Sequence, residues 1–262
     1  MDDRTRAAAA QALLDAYGGT PVPPLSETYP AMTVEDAYAV QGLQLESWKA
    51  AGRVVKGHKV GLTARVMQRQ LGVDQPDYGQ LTDTMLLTEG QPLRMRDFIA
   101  PRVEPEIAFV LGRDLTGPGV SVVDAIRAVE FVLPALEIID SRIADWRIGL
   151  VDTIADNASS GAVVLGSRPV ALGAMDLRLT GCVLSVDGEI RATGAGGAVL
   201  GSPVHALAWL ANTVGPHGIT LEAGQVVIPG SLTAAQPIRP GGVVSARFAG
   251  LGTLTTRMER DA

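Results

Sequence analysis

Near Phe98 the hydrophobic pattern of this chain changes its grammar, and that change limits the folds open to it. Upstream, strong helix formers run from Arg6 to Tyr17 and stop at Gly18-Gly19, where a C-terminal glycine is expected. Thr33 can cap a second helix in which Val34, Ala37, Val40 and Leu43 keep a helical period to Gly52. A shorter third helix is expected over 63–71, ending at Gly72. Downstream, short β-type runs separated by Gly and Pro take over: 106–111, 135–140, 161–165, 182–186, 225–228, 243–248 and 253–258. Only two helices interrupt them, one over 122–131 capped by Ser121, the other over 203–214 with proline at its first position. Alternating βαβ units are missing, which argues against Rossmann and TIM architectures. The expectation is an α+β protein: a smaller, mainly helical N-terminal cap (1–95) that carries the Lys59 segment, docked on a β-rich core (96–262).

Composition narrows the partners. Of 262 residues, 47% are hydrophobic, enough to bury a real core. The net charge is -6, and Lys and Arg are scattered without a basic stripe, so no nucleic-acid partner is expected. The single cysteine, Cys182, permits no intrachain disulfide and sits in a β-type run as a buried structural thiol. The N-terminus reads as an alanine-rich helix rather than a signal peptide, and no apolar run approaches the roughly 18 residues of a membrane span. A cytoplasmic protein with no membrane partner is expected.

The most informative segment is Pro101-Arg-Val-Glu-Pro-Glu-Ile-Ala-Phe-Val. In an extended strand alternate side chains share a face, so Glu104 and Glu106 point the same way, about 6–7 Å apart. They repel unless something positive lies between them. Pro105 removes a ladder donor, which suits an edge or a site wall. Glu137 is a lone charge in the apolar run Phe131-Val-Leu-Pro-Ala-Leu-Glu-Ile-Ile, where an unpaired carboxylate costs several kcal/mol. Three such oxygen donors suit a hard divalent ion. Spacing alone leaves open an ion-pair network with Arg102 and Arg142.

Lys59 lies in a β-type run between Gly57 and Gly61, which permit close approach of backbone or ligand. Beside a cation in a low-dielectric pocket it could act as acid or base with a depressed pKa; the plain alternative is a solvated lysine. The polar stretch Asp152-Thr-Ile-Ala-Asp-Asn-Ala-Ser-Ser can organise a turn or line a pocket. Gly230-Ser-Leu-Thr is a similar polar turn at a strand end. His58, His205 and His217 lack metal-ligand spacing, and neither a Walker loop nor a dinucleotide fingerprint is present.

Taken in order, Gly57-His-Lys-Val-Gly-Leu-Thr, Leu71-Gly-Val-Asp-Gln-Pro-Asp-Tyr-Gly, Pro101-Arg-Val-Glu-Pro-Glu-Ile-Ala-Phe, Pro134-Ala-Leu-Glu-Ile-Ile-Asp-Ser-Arg-Ile-Ala-Asp-Trp and Asp152-Thr-Ile-Ala-Asp-Asn-Ala-Ser-Ser resemble the hydratase/decarboxylase branch of the fumarylacetoacetate hydrolase superfamily, its 2-keto-4-pentenoate hydratases in particular. The likeness runs from about Thr33 to the C-terminus. It implies a mixed β-sandwich or roll core, Mg²⁺ or Mn²⁺ on Glu104, Glu106 and Glu137, a catalytic Lys59 assisted by Asp77 or Asp156, and Ser159 and Ser231 at the substrate. It further implies a homo-oligomer, one that can associate with a downstream aldolase or sister decarboxylase. The expected reaction is hydration of a 2-hydroxy-2,4-dienoate to a 4-hydroxy-2-oxo acid in the catabolism of aromatic or related ring compounds. The alternatives are decarboxylation of a 2-oxo-3-hexenedioate, acylpyruvate hydrolysis, or a non-catalytic partner role. One departure stands out: Leu200-Gly-Ser-Pro replaces the Leu-Gly-His-Pro of many relatives, leaving that histidine's role absent or moved to His205.

Overall fold

The computed structural model describes residues 1–260, with the side chains of all but Met67, Gln70 and Leu71. Its α-helices are α1 (Asp3–Ala16), α2 (Leu25–Thr28), α3 (Val34–Ala50), α4 (Arg65–Leu71), α5 (Val122–Ala128), α6 (Leu150–Ala155) and α7 (Pro203–Val214). The N-terminal helices form where their caps dictate. Asp2 accepts from Thr5 N at 2.7 Å to start α1. At the head of α3, Thr33 Oγ1 accepts from Asp36 N while Asp36 accepts from Thr33 N, a reciprocal capping box. α1 and α3 close with α6 over a small core of Ala10, Leu13, Val40 and Ile154.

Two sheets carry the rest. The larger runs β2 (Asp77–Thr82), β1 (Val55–Gly61), β9 (Val226–Ile228), β4 (Arg102–Leu111), β5 (Val129–Ile139), β6 (Ser160–Leu165), β3 (Leu86–Thr88), with β10 (Gln236–Pro237) pairing on β4. The smaller is antiparallel: β12 (Gly252–Arg257), β11 (Val243–Phe248), β7 (Gly181–Val186), β8 (Glu189–Ala195). On β4, Val103, Ile107, Phe109 and Leu111 enter a core shared with Leu184, Val244 and Leu254 of the second sheet and Leu207 and Leu210 of α7. Each such side chain, once removed from water, contributes about 1.5–3 kcal/mol. Period-2 alternation then sends Glu104, Glu106 and Ala108 to the opposite face. Cys182 is buried in β7, as expected of a structural thiol.

The sequence reading needs two corrections. β1, β2 and β3 all precede residue 96, so a division at 95 does not part helices from sheet: the helical layer ends at Ala50, and the Lys59 segment is a strand of the larger sheet. Gly57 makes this insertion possible, because a Cβ there would collide with the Val226 carbonyl of β9. α5 ends at Ala128 rather than 131, since the β-branched and aromatic run from Val129 continues directly into β5. The polar stretch from Asp152 supplies the expected turn, a 3₁₀ turn over Asn157–Ser159 that follows α6.

Candidate active site

The site grows from an interruption in the sheet. Along one edge of β4, β9 pairs with Phe109 and Val110 and β10 pairs with Arg102 and Val103. Between them the strand has no strand neighbour on that side. Pro105 lacks an N–H to satisfy there, and its carbonyl accepts from Leu232 N at 3.0 Å. On the other side β5 is in register, with Glu104 opposite Glu137 and Glu106 opposite Ala135. Cross-strand partners share a face, so this register brings three carboxylates together. Glu104, Glu106 and Glu137 each offer an oxygen within 4.8 Å of the others.

Electrostatics make this cluster costly as it stands. Glu106 and Glu137 are buried, and Glu104 half-buried. Burial first, then mutual repulsion with Glu137, pushes Glu104 up to about 7. The same causes, joined by Glu104, raise Glu106 well above the ordinary carboxylate range. Burial also raises Glu137, though Lys59 opposes it. Glu106 Oε2 accepts from Gly230 N at 2.7 Å, but Glu106 Oε1 and both Glu137 oxygens lack hydrogen-bond partners among the described residues. Orphaned, converging, hard oxygen donors are the chemistry that Mg²⁺ or Mn²⁺ satisfies, so these residues fit such an ion. The rival ion-pair network does not form. Arg142 pairs with Asp156 (Nε to Oδ1, 2.6 Å), and Arg102 stacks on Trp146 with Cζ 4.4 Å from the ring centre.

Lys59 is the cation at the edge of this cluster. It is buried, donates to the Ala158 carbonyl at 2.8 Å, and lies 3.4 Å from Glu137 Oε1. Burial alone would lower its pKa, but Glu137, Asp77, Glu104 and Glu106 outweigh burial and the net shift is upward. Asp77 stands beside it at the start of β2. Burial raises Asp77 while Lys59 and Thr153 oppose the rise. Thr153 Oγ1 bonds Asp77 Oδ2 at 3.2 Å and meets Ser159 Oγ at 3.3 Å. Asp77 Oδ1 lacks a partner among the described residues. Gly61 must be glycine here: a Cβ would strike Asp77 Oδ1 and come within 3.4 Å of Lys59 Nζ. Gly230 has φ 123°, and a Cβ on it would collide with Thr63 Oγ1.

A cleft of about 360 Å³ opens onto this machinery. Lys59, Asp77, Glu104, Ser159 and Ser231 line it, as does Thr153, and Ile139, Trp146 and Ile148 give it an apolar wall. Ser231 spends its hydroxyl locally, donating to Thr233 O at 2.7 Å. Asp156 is not brought to the cleft. It is fully buried behind the wall, where Arg142 and Ser141 take its carboxylate. There it supplies the counter-charge that the buried Arg142 guanidinium requires. His205 is exposed, its Nδ1 3.1 Å from Leu200 O, and neither it nor Ser202 lines the cleft. Sequence reasoning passed over Thr153, the Gly230 amide and the Ala158 carbonyl. The polar composition of 152–159 and 230–233 was the available signal.

A mixed sheet with a gap that gathers three acids and a lysine under a small cleft defines a class of acid-lined, oxygen-ligand metal sites. The family follows from comparison. Residues 50–259 match the model described as fumarylacetoacetate (FAA) hydrolase C-terminal, and the chain belongs to that family. It is 45% identical over 260 residues to a protein named 2-keto-4-pentenoate hydratase from Paraburkholderia xenovorans (strain LB400), covering 99% of this chain and 97% of that one. It is 43% identical over 232 residues to a 2-hydroxyhexa-2,4-dienoate hydratase from Comamonas testosteroni, covering 88% of each. Among solved structures, a 4-oxalocrotonate decarboxylase from Pseudomonas putida G7, complexed with magnesium and adipate, superposes with a TM-score of 0.95 at 35% identity and 98% coverage of both chains.

Proposed function

We propose that this protein is a divalent-metal-dependent hydro-lyase that converts 2-hydroxypenta-2,4-dienoate, or an analogue with a short apolar substituent, to the 4-hydroxy-2-oxo acid. The observation that carries the reading is the convergence of Glu104, Glu106 and Glu137 within 4.8 Å, with orphaned oxygens, where Glu104 lines the cleft. Relatives bearing hydratase names at 42–45% identity support hydration, against 35% for the decarboxylase. The apolar wall of Ile139, Trp146 and Ile148 suits a short hydrocarbon tail.

Mg²⁺ or Mn²⁺ held by Glu104, Glu106 and Glu137 supplies a Lewis acid for a chelating 2-oxygenated carboxylate. The chain's own groups manage the protons. Ketonisation removes the 2-hydroxyl proton of the dienol and places a proton on C5, giving the 2-oxo-3-enoate. Lys59, kept charged by its acidic neighbours, is the proton donor. Asp77, with a raised pKa and a free Oδ1 beside Lys59, receives and returns the proton. Thr153 and Ser159 fix the orientation of Asp77. Water then adds at C4 and a proton at C3, and the apolar wall restricts water to that approach. The reading places the enzyme in the cytoplasm as a homo-oligomer that passes its product to an aldolase; no helix among the described residues is long and apolar enough to cross a membrane.

The test is to supply 2-hydroxypenta-2,4-dienoate with Mg²⁺ and follow the loss of its ultraviolet absorbance. Consumption that stops in EDTA is expected. Full activity in EDTA overturns the metal role, and CO₂ release from 2-oxo-3-hexenedioate in place of hydration gives the decarboxylase reading instead.

A further inference from the structure

Ile139 closes the catalytic cleft, and just beyond it Asp140 and Arg142 line a second cavity of about 180 Å³, which the proposed reaction does not use. Tyr17, Arg53, Thr84, Arg94 and Asp97 complete its polar side-chain lining. Asp140 takes Ile99 N at 2.9 Å and Ala100 N at 2.8 Å, the exposed Asp97 takes Arg94 Nε at 2.8 Å through one of its oxygens, and Thr84 Oγ1 meets Thr82 Oγ1 at 3.1 Å. The enclosed carboxylate is thus engaged. The donors are not. Tyr17 carries a buried hydroxyl with no partner among the described residues. Arg142 uses Nε and Nη2 on Asp156, leaving Nη1 unused, and Arg53 forms no side-chain hydrogen bond or ion pair among the described residues. Aromatic faces hold both guanidinium groups in place: Arg142 Cζ is 4.6 Å from the Tyr17 ring centre, and Arg53 Cζ 5.5 Å from that of Trp48. Preset cationic and hydroxyl donors around a small polar cavity, facing an enclosed carboxylate that is already engaged, call for a ligand that accepts.

We infer that this cavity is a binding site for a small oxyanion, of the carboxylate or the phosphate/sulfate type, held by Arg53, Arg142 and Tyr17. Its volume exceeds the roughly 30 Å³ share of one water several-fold, room for a small oxyanion but not for a nucleotide. The site is separate from the three-glutamate cluster, so it does not depend on the reaction proposed above.

Acetate and sulfate are titrated calorimetrically into the full-length protein in the presence of Mg²⁺. Saturable one-site binding is expected for at least one of them, and the preferred anion shows whether the natural ligand is a carboxylate or a tetrahedral oxyanion. Arg53→Gln weakens it by about tenfold or more, the weight of one charge-assisted hydrogen bond. Tyr17→Phe weakens it less, and Glu106→Gln leaves it unchanged. Crystals grown with selenate show an anomalous peak between Arg53 and Arg142. No saturable binding, binding that survives Arg53→Gln and Tyr17→Phe, loss of binding in Glu106→Gln, or only an ordered water at that position would each overturn the assignment.

Discussion

Two groups of buried carboxylate in this molecule meet opposite fates. At the head of α3, Asp36 accepts from Thr33 N, Thr33 Oγ1, Arg6 and the terminal ammonium, all at 2.8–3.0 Å. Its pKa is held far below the ordinary range, first by the Thr33 amide and then by the ammonium and Arg6. In the larger sheet, Glu104, Glu106 and Glu137 face one another with oxygens unmatched, and burial drives all three upward. One cluster is finished by the fold; the other waits for something the fold does not supply. Acids that stabilise a protein are those whose partners are present in the chain, and acids kept at a cost are those with work to do.

The contrast can be broken at its strongest point first. Glu106→Gln removes one anionic ligand and is expected to lower turnover of 2-hydroxypenta-2,4-dienoate by about 10³-fold, the scale of several kcal/mol of transition-state charge stabilisation. The same variant in EDTA should be as stable as the parent near pH 4.5 and more stable at pH 8. The sign follows from the raised carboxylates: protonation favours the fold, so stability is fully present below the unfolded pKa and is lost as pH rises through the folded values, about 7 for Glu104. A parent that is equally stable at both pH values would contradict the unmatched cluster.

Next in size is the metal itself. Mg²⁺ at a hundredfold excess over its dissociation constant stabilises by about 2.7 kcal/mol, about 5–10 °C in Tm for a chain of this length. Thermal scans should show that shift in the parent and a much smaller one in Glu106→Gln. The smallest effect belongs to the completed cluster. Asp36→Asn should lower Tm at neutral pH without touching turnover of well-folded protein. Because the Asp36 pKa is depressed, its contribution is present above the unfolded value and lost as pH falls through the folded one. The Tm difference from the parent should therefore shrink below about pH 4. A difference that persists there would mean packing, not charge, holds α3 to α1.

The sequence made some of this legible and concealed the rest for physical reasons. Alternation on β4 sets Glu104 and Glu106 on one face from local geometry alone. Placing Glu137 with them depends on the register of β4 against β5, which spacing does not reveal and the ordered motifs of the family did. Where Asp156 points could not be read, because an aspartate in a polar run looks the same whether it faces a cleft or a buried arginine; its partner Arg142 was itself assignable to the glutamates. β2 and β3 escaped notice for a different reason. β2 is buried on both faces, so it shows no polar–apolar alternation, and Gly79 weakens its strand character further. The longer N-terminal helices α1 and α3, by contrast, announced themselves through caps and glycines that act within a few residues.

The turn at Asn157–Ser159 has a wider meaning. Three successive non-glycine residues sit in the left-handed region, with φ of 50°, 51° and 53°, a conformation that costs roughly 1–2 kcal/mol per residue. Its side-chain amide at Asn157 accepts from Gln80 N and donates to Gln80 O, imitating a peptide group at the border of β2. One residue later the Ala158 carbonyl grips the lysine. The Lys59 ammonium is thus anchored to a counterfeit strand, so a change that loosens the border of β2 is expected to loosen its position as well.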